Sequence, residues 1–265
     1  IAVLAAPAAD SFGNARGTGG PSATGVIGYA KPDYLYADKV IVVTDNLVDL
    51  PCFPMEVEGN YVDYVVVVDK IGIPEKIVSG TTQITKSPDR LLIAELTALF
   101  LEKSGLLRNG ATMQAGAGGT SLAIAVFVHQ MLKKKGWKLS FGFGGSTKYM
   151  VDMLEEGQMG YILDAQAFDL DSVKSIEKNL NHIPYPVFNA YNYHSKGNLT
   201  TMMDIMILGA TEIDTGFNGN VVTHSDGLLL HGIGGWQNCL HARNVIIPVP
   251  LFRDRIPVVV DRVTT

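Results

Sequence analysis

Cysteine is scarce. Cys52 and Cys239 are the only two in 265 residues, and neither stands in a C-x-x-C pair or a metal knuckle. That argues against a disulfide framework and for a reducing compartment, the cytoplasm. Charge is thin as well, at 18% of residues, with a slightly acidic net value of −5. Such a chain offers no basic face to release counterions from phosphate, which argues against nucleic-acid binding. Long apolar runs are missing too. The most apolar window, Ala111 to Val128, is broken by Gln114 and three glycines, so only Leu122 to Val128 is continuous. That is too short to span a bilayer. There is no Walker lysine and no G-x-S-x-G elbow. The dinucleotide fingerprint G-x-G-x-x-G fails because Ser121 stands where its third glycine belongs.

The central region alternates two periodicities. Met113 to Ala115 reads as the end of a strand, Leu122 to Lys135 as a helix closed by Gly136, and Trp137 to Phe141 as a strand. Thr147 to Glu156 reads as a helix stopped by Gly157, with Tyr161 to Asp164 and Ile205 to Ala210 as further strands. Ser87-Pro88 opens an earlier helix, cap followed by proline, and Gly105 ends it. Alternation of this length predicts an α/β fold with a mainly parallel sheet and flanking helices.

Two kinds of repeat run through the chain. Gly116, Gly118, Gly119 and Thr120 recur as Gly142, Gly144, Gly145 and Ser146, each 26 residues on, which predicts two similar strand-to-helix loops. A longer echo joins the ends. "FGN" at Phe12 answers "FNGN" at Phe217, "GYA" at Gly28 answers "GGW" at Gly234, and "KVIVV" at Lys39 answers "NVIIP" at Asn244. The offsets, 205 or 206, suggest two related halves. Residues 1–60 are then the remnant of a first domain, 61–79 a linker and 80–265 a second domain. The chain opens directly in "IAVLAAP" and closes on "IPVVVDRVTT", and is expected to be part of a longer protein.

Glycine-rich strand-to-helix turns aim backbone N–H groups at an anion, so "QAGAGGTSLA" suits a phosphate or a developing oxyanion, or is simply a tight turn. Glu212 in "MILGATEIDTGFNGN" is the sharper feature. A carboxylate can attack an activated acyl group where water is excluded and amides receive the oxyanion. "GIGG" (Gly232 to Gly235) follows some twenty residues on. The alternative is a strand-end carboxylate paired with Arg243, Arg253 or Arg255. Stepping back by the repeat offset lands on Pro7 or Ala6, so the first copy carries no carboxylate there. His224, His231 and His241 are spaced by seven and ten, which matches no metal-ligand pattern. They read as ordinary polar histidines.

At these residues the chain resembles the CoA-transferases that use a glutamate nucleophile. Beyond that motif, "SGTTQITKSPDRLLIAELTA", "MQAGAGGTSLAIA", "VDMLEEG", "ILGATEIDTGFNGNVVTHSDG" and "PLFRDRIPVVVDRVTT" resemble the citrate lyase α-subunit family. The resemblance implies the tandem α/β fold shared by CoA-transferases and sugar-phosphate isomerases. It also implies transfer of citrate onto an acyl carrier through a glutamyl anhydride and a glutamyl thioester. It makes Glu212 the nucleophile and gives the oxyanion to the amides of Gly234 and Gly235. The thioester or CoA path falls to Gly116, Gly118, Gly119, Asn220 and Gly232. No tightly bound cofactor and no metal are implied; the carrier's phosphopantetheine-type thioester is a substrate. The implied partners are an acyl carrier protein, a citryl lyase subunit, citrate and acetate. A transferase subunit of the malonate decarboxylase kind and a non-catalytic scaffold are the alternatives.

Overall fold

The computed structural model describes residues 1–77, 82–192, 194, 196–229, 235–253 and 257–264. The first elements in chain order are β1 (Ala2–Ala5), β2 (Ala8–Ala9), β3 (Ala15–Arg16), α1 (Ala30–Tyr36), β4 (Val40–Thr44) and β5 (Tyr64–Val67). Next come α2 (Pro88–Lys103), β6 (Thr112–Ala115), α3 (Gly119–Lys135), β7 (Leu139–Ser146), α4 (Lys148–Glu155) and β8 (Met159–Ala167). They are followed by α5 (Leu170–Lys178), β9 (His182–Pro184), α6 (Val187–Tyr191) and β10 (Ile205–Ile207). The last strands are β11 (Glu212–Asp214), β12 (Gly219–Asn220), β13 (Val245–Ile246) and β14 (Val259–Val260). The α/β class read from the alternation is therefore present.

Two compact units form. One comprises Ile1–Gly80 with Phe141–Leu199, the other Thr81–Ser140 with Thr200–Thr265. In the first unit β1, β4 and β5 make a three-stranded parallel sheet. In β1 alternate residues are buried, and in β4 Val40 and Val42 turn inward, the period-two pattern of a half-covered strand. Their inward residues join Ala30 and Tyr34 of α1 in one apolar cluster. β5 lies within the segment read as linker (61–79). This unit also holds β8 and β9, and the second unit holds β13, β10 and β6 in that order. The β13–β10, β10–β6 and β8–β9 pairings are parallel.

In the second unit α2 packs on α3. Pro88 occupies the first turn of α2, where a missing N–H costs nothing. Gly136 caps α3 in the left-handed conformation (φ 65°), returning its N–H to Leu132 and Lys133. The helix begins at Gly119, three residues before the apolar run that announced it, so the glycine loop contributes the first turn.

The second glycine motif does not form a loop. Gly142, Gly144, Gly145 and Ser146 lie inside β7. Packing explains them: a Cβ on Gly142 would come within 2.6 Å of Met150 Cε and 2.8 Å of Met159 Sδ, and one on Gly145 would enter the Phe168 ring. Gly142 and Gly145 make room for neighbours rather than turning the chain, whereas Gly144 has a positive φ of 109°.

The longer echo is visible in three dimensions with a corrected register. β2 and β3 form a hairpin with Ala8 opposite Arg16 and Ala9 opposite Ala15. β11 and β12 form the matching hairpin, with Glu212 opposite Asn220 and Ile213 opposite Gly219. Asp10 Oδ1 accepts the N–H groups of Phe12, Gly13 and Asn14, and Asn14 Nδ2 donates to its other oxygen. Asp214 Oδ1 likewise accepts the N–H groups of Gly216 and Asn218, with Asn218 Nδ2 on Oδ2. Gly13 (φ 102°) and Phe217 (φ 62°) take the same left-handed position. The residue matching Glu212 is thus Ala8, not Pro7 or Ala6, because the shared aspartate-to-asparagine turn, not the phenylalanine, sets the alignment.

Candidate active site

Glu212 opens β11 and is 1% exposed. Its Oε2 accepts hydrogen bonds from Ser225 N–H at 2.9 Å and Ser225 Oγ–H at 2.6 Å. Its Oε1 lies 2.9 Å from His224 Nδ1, itself 3.7 Å from Asp226 Oδ1. Two of the arginines suggested as partners bond elsewhere. Arg243 pairs with Asp204 at 3.1 Å, Arg253 donates to the Ala210 carbonyl at 2.8 Å, and Arg255 falls outside the described residues. Among the described residues the carboxylate is therefore held by the two Ser225 donors, with the His224 ring beside it, a weaker grip than a bidentate guanidinium would give.

The local sequence builds this arrangement stepwise. Asn220, in register with Glu212, receives Thr211 N–H and Oγ1–H on its carbonyl at 2.8 and 2.6 Å. Its side-chain Oδ1 accepts Thr223 N–H and Oγ1–H at 3.3 and 3.2 Å. That fixes the strand leading into His224 and Ser225. Gly227 (φ 83°) then reverses the chain, with its N–H on the His224 carbonyl at 2.8 Å. Asn220 thus serves first to hold the segment that grips Glu212.

The first glycine loop sits at the end of β6, beside β10. Gly116 donates its N–H to the Ile207 carbonyl at 2.9 Å, and a Cβ there would lie 2.8 Å from Leu208 Cδ2. Gly118 caps α3 and faces open space. Gly119 is crossed by the strap Gln83–Thr85, whose Thr85 N–H reaches the Gly119 carbonyl at 3.2 Å. Gly235 is left-handed (φ 72°) and opens the short 3₁₀ turn Trp236–Leu240. A Cβ on it would contact Gln114, Met206 and Leu208. Leu208 thus neighbours both Gly116 and Gly235. Asn238 of the same turn donates to Gln114 Oε1. Gly232, Gly234 and His231 lie outside the described residues.

Sequence reasoning missed His224 and Ser225 as parts of this site. Their only signal was proximity, twelve and thirteen residues after Glu212 across a hairpin. Among the described residues no three His, Cys, Asp or Glu side chains converge as a metal-ligand set. No helix among them is long and apolar enough to cross a membrane. Another cluster in the first unit, Ser175–His182–Asp164, has hydrogen-bond distances of 2.9 and 3.1 Å that mimic a nucleophilic triad. All three residues are buried, and Asp164 is also bonded to Ser146, so the cluster pins β7, β8 and β9 together.

The family model described as "Citrate lyase, alpha subunit (CitF)" matches residues 1–265. A citrate lyase alpha chain from Haemophilus influenzae is 40% identical over 266 residues, covering 100% of this chain and 53% of its own. The chain spans about half the length of the curated relatives it matches. A Streptococcus mutans structure described as an alpha subunit of citrate lyase in complex with citrate superposes with a TM-score of 0.92 at 42% identity. That match covers 98% of this chain and 52% of the other. Two distant structures share the fold alone. The malonate decarboxylase alpha subunit of Acinetobacter baumannii has a TM-score of 0.65 at 18% identity over 98% of this chain and 53% of its own. The 4-hydroxybutyrate CoA-transferase of Porphyromonas gingivalis has 0.58 at 13%, over 99% and 62%.

Proposed function

The chain belongs to the citrate lyase alpha-subunit family, and on that premise we propose that it exchanges acetyl for citrate on a carrier thioester with Glu212 as nucleophile. The observation that carries the reading is the burial of Glu212, with no guanidinium partner among the described residues, at a position where the first-unit hairpin has alanine. The hairpin forms without a carboxylate, so the fold does not require this one. Removing a carboxylate from water is costly unless it is paired or used. The Ser225 donors keep it in place while leaving it nucleophilic.

The reaction runs through acyl transfers that conserve the thioester. A Glu212 oxygen attacks the acetyl carbonyl carbon, the C–S bond breaks, and the thiolate leaves behind an acetyl-glutamyl anhydride. The thiolate then attacks the glutamyl carbon, and acetate departs. A citrate carboxylate attacks the resulting glutamyl thioester, again releasing thiolate, which finally takes the citryl group and frees Glu212. The amides of Gly234 and Gly235 would receive the acyl oxyanion. Gly116, Gly118, Gly119, Asn220 and Gly232 would line the path of the pantetheine arm. The carrier's phosphopantetheine-type group is a substrate here, delivered by an acyl carrier protein. The citryl product passes to a lyase subunit in the same cytoplasmic complex. Citrate in the Streptococcus mutans relative supports citrate as acceptor.

The test is acyl exchange by the full-length protein between acetyl-CoA and citrate or malonate. Citrate is expected to accept and malonate to be poor. Exchange to malonate alone would move the assignment to the malonate decarboxylase kind, and no exchange with either would favour a scaffold.

A further inference from the structure

The two oxygens of Glu212 are held unequally. Oε2 takes both donors of Ser225, at 2.9 and 2.6 Å, whereas Oε1 faces His224. We infer that Ser225 supplies the oxyanion hole for every attack on the carboxyl carbon of Glu212, a role separate from that of the glycines facing the acyl group. The inference rests on the reading of Glu212 as nucleophile.

The bond changes follow from that asymmetry. With Oε2 engaged by two donors, Oε1 is the oxygen that attacks the acetyl thioester and becomes the bridge of the anhydride. Oε2 is then a neutral carbonyl oxygen and a weaker acceptor. When the thiolate forms its bond to Cδ, the carbonyl π pair moves onto Oε2, and a full negative charge develops where both Ser225 donors point. Collapse breaks the Cδ–Oε1 bond, and Oε1 leaves as part of acetate. Attack by a citrate carboxylate on the glutamyl thioester sends charge to Oε2 a second time, and the thiolate leaves. In both steps the hydrogen bonds are stronger in the transition state than in the intermediate before it, which is the condition for lowering a barrier.

The donors are fixed in advance. Thr264 N–H donates to Ser225 Oγ at 3.4 Å, occupying its acceptor side so that the hydroxyl proton turns to Oε2. The loop is closed by His224 N–H on the Leu228 carbonyl at 3.0 Å and by the Thr223–Leu229 bridge. Such donors need not reorganise as charge develops.

The test mixes acetyl-CoA with the full-length wild-type protein, Ser225→Ala and Ser225→Thr. Samples quenched over time are assayed for free CoA and for borohydride-reducible Glu212 by peptide mass spectrometry. In Ser225→Ala, CoA release is expected near the wild-type rate while the glutamyl thioester forms about 100-fold more slowly, so free CoA accumulates. Ser225→Thr, which keeps the hydroxyl, is expected to restore thioester formation. Wild-type thioester formation in Ser225→Ala would overturn the inference. So would an equal slowing of both steps, the sign of a displaced Glu212. A wild-type protein that releases no CoA and leaves Glu212 unmodified would overturn the nucleophile reading itself.

Discussion

Glu212 shows how far a single residue could be read from sequence. The stretch around it identified a carboxylate where a strand meets a glycine-rich turn, and the missing carboxylate in the first copy marked it as an addition. Its burial and its Ser225 and His224 neighbours were not legible, because they depend on a hairpin folding back over thirteen residues. Glu212→Gln keeps the shape and the Ser225 contact but cannot form an anhydride. It is expected to abolish acyl exchange while leaving the circular-dichroism spectrum and melting temperature near wild type; unfolding would make the residue architectural. Phe217 carries a separate expectation. It is a bulky residue in the left-handed region (φ 62°), 85% exposed, where the matching residue is Gly13. Phe217→Gly relieves a conformation costing roughly 1–2 kcal/mol, offset in part by the entropy glycine adds to the unfolded chain. A net gain of about 0.5–1 kcal/mol, read as a higher melting temperature, is expected.

At the scale of elements, helices were easier to place than glycines. Proline at the start of α2 and glycine at the end of α3 are local signals: Pro88 sits in the first turn of α2 and Gly136 caps α3, although the Ser87 side chain makes no cap hydrogen bond. The paired glycine motifs were misleading because composition does not separate a turn from a crowded strand. Gly118 borders open space, whereas Gly142 and Gly145 are pressed against Met150, Met159 and Phe168. Gly145→Ala is therefore expected to destabilise by about 2–3 kcal/mol through overpacking, seen in denaturant melts. Gly118→Ala is expected to cost less than about 1 kcal/mol as a poorer helix cap. Its effect should fall on KM for the thioester, if that loop lines the substrate path. Equal stability losses in the two variants would contradict this division.

At the scale of the molecule, the internal repeat was legible in outline and off in register. Phenylalanine drew the eye, but the conserved geometry is an aspartate accepting turn amides and an asparagine four residues on, at Asp10 and at Asp214. The compact units also could not be read from order along the chain, because each takes two separate segments. The same carboxylates set the pH response. The Asn218 side chain, then the amides of Asn218, Val263 and Gly216, hold Asp214 down at about 2. Burial opposes ionisation at Asp10 and Asp204, but amides, Asn14 and Arg108 outweigh it and keep both below the ordinary value. Depressed folded values give stability that is present above the unfolded carboxylate range and lost as pH falls through them. Glu56 works in the opposite sense. Burial raises it to about 7 against the Gly17 and Ile27 amides, so the folded state holds its proton more tightly than the unfolded state. Its contribution is complete below the ordinary value of 4.5 and falls as pH rises to about 7. Melting temperature is expected to climb out of the acid range and then decline toward neutrality. Glu56→Gln should remove the decline, and a wild-type profile without one would contradict the assignment.

The most direct test of the central claim is covalent. Full-length protein incubated with acetyl-CoA and treated with hydroxylamine should carry a hydroxamate on the peptide containing Glu212, with Glu212→Gln unlabelled. A protein that exchanges acyl groups between acetyl-CoA and citrate while that peptide stays unmodified would contradict the account.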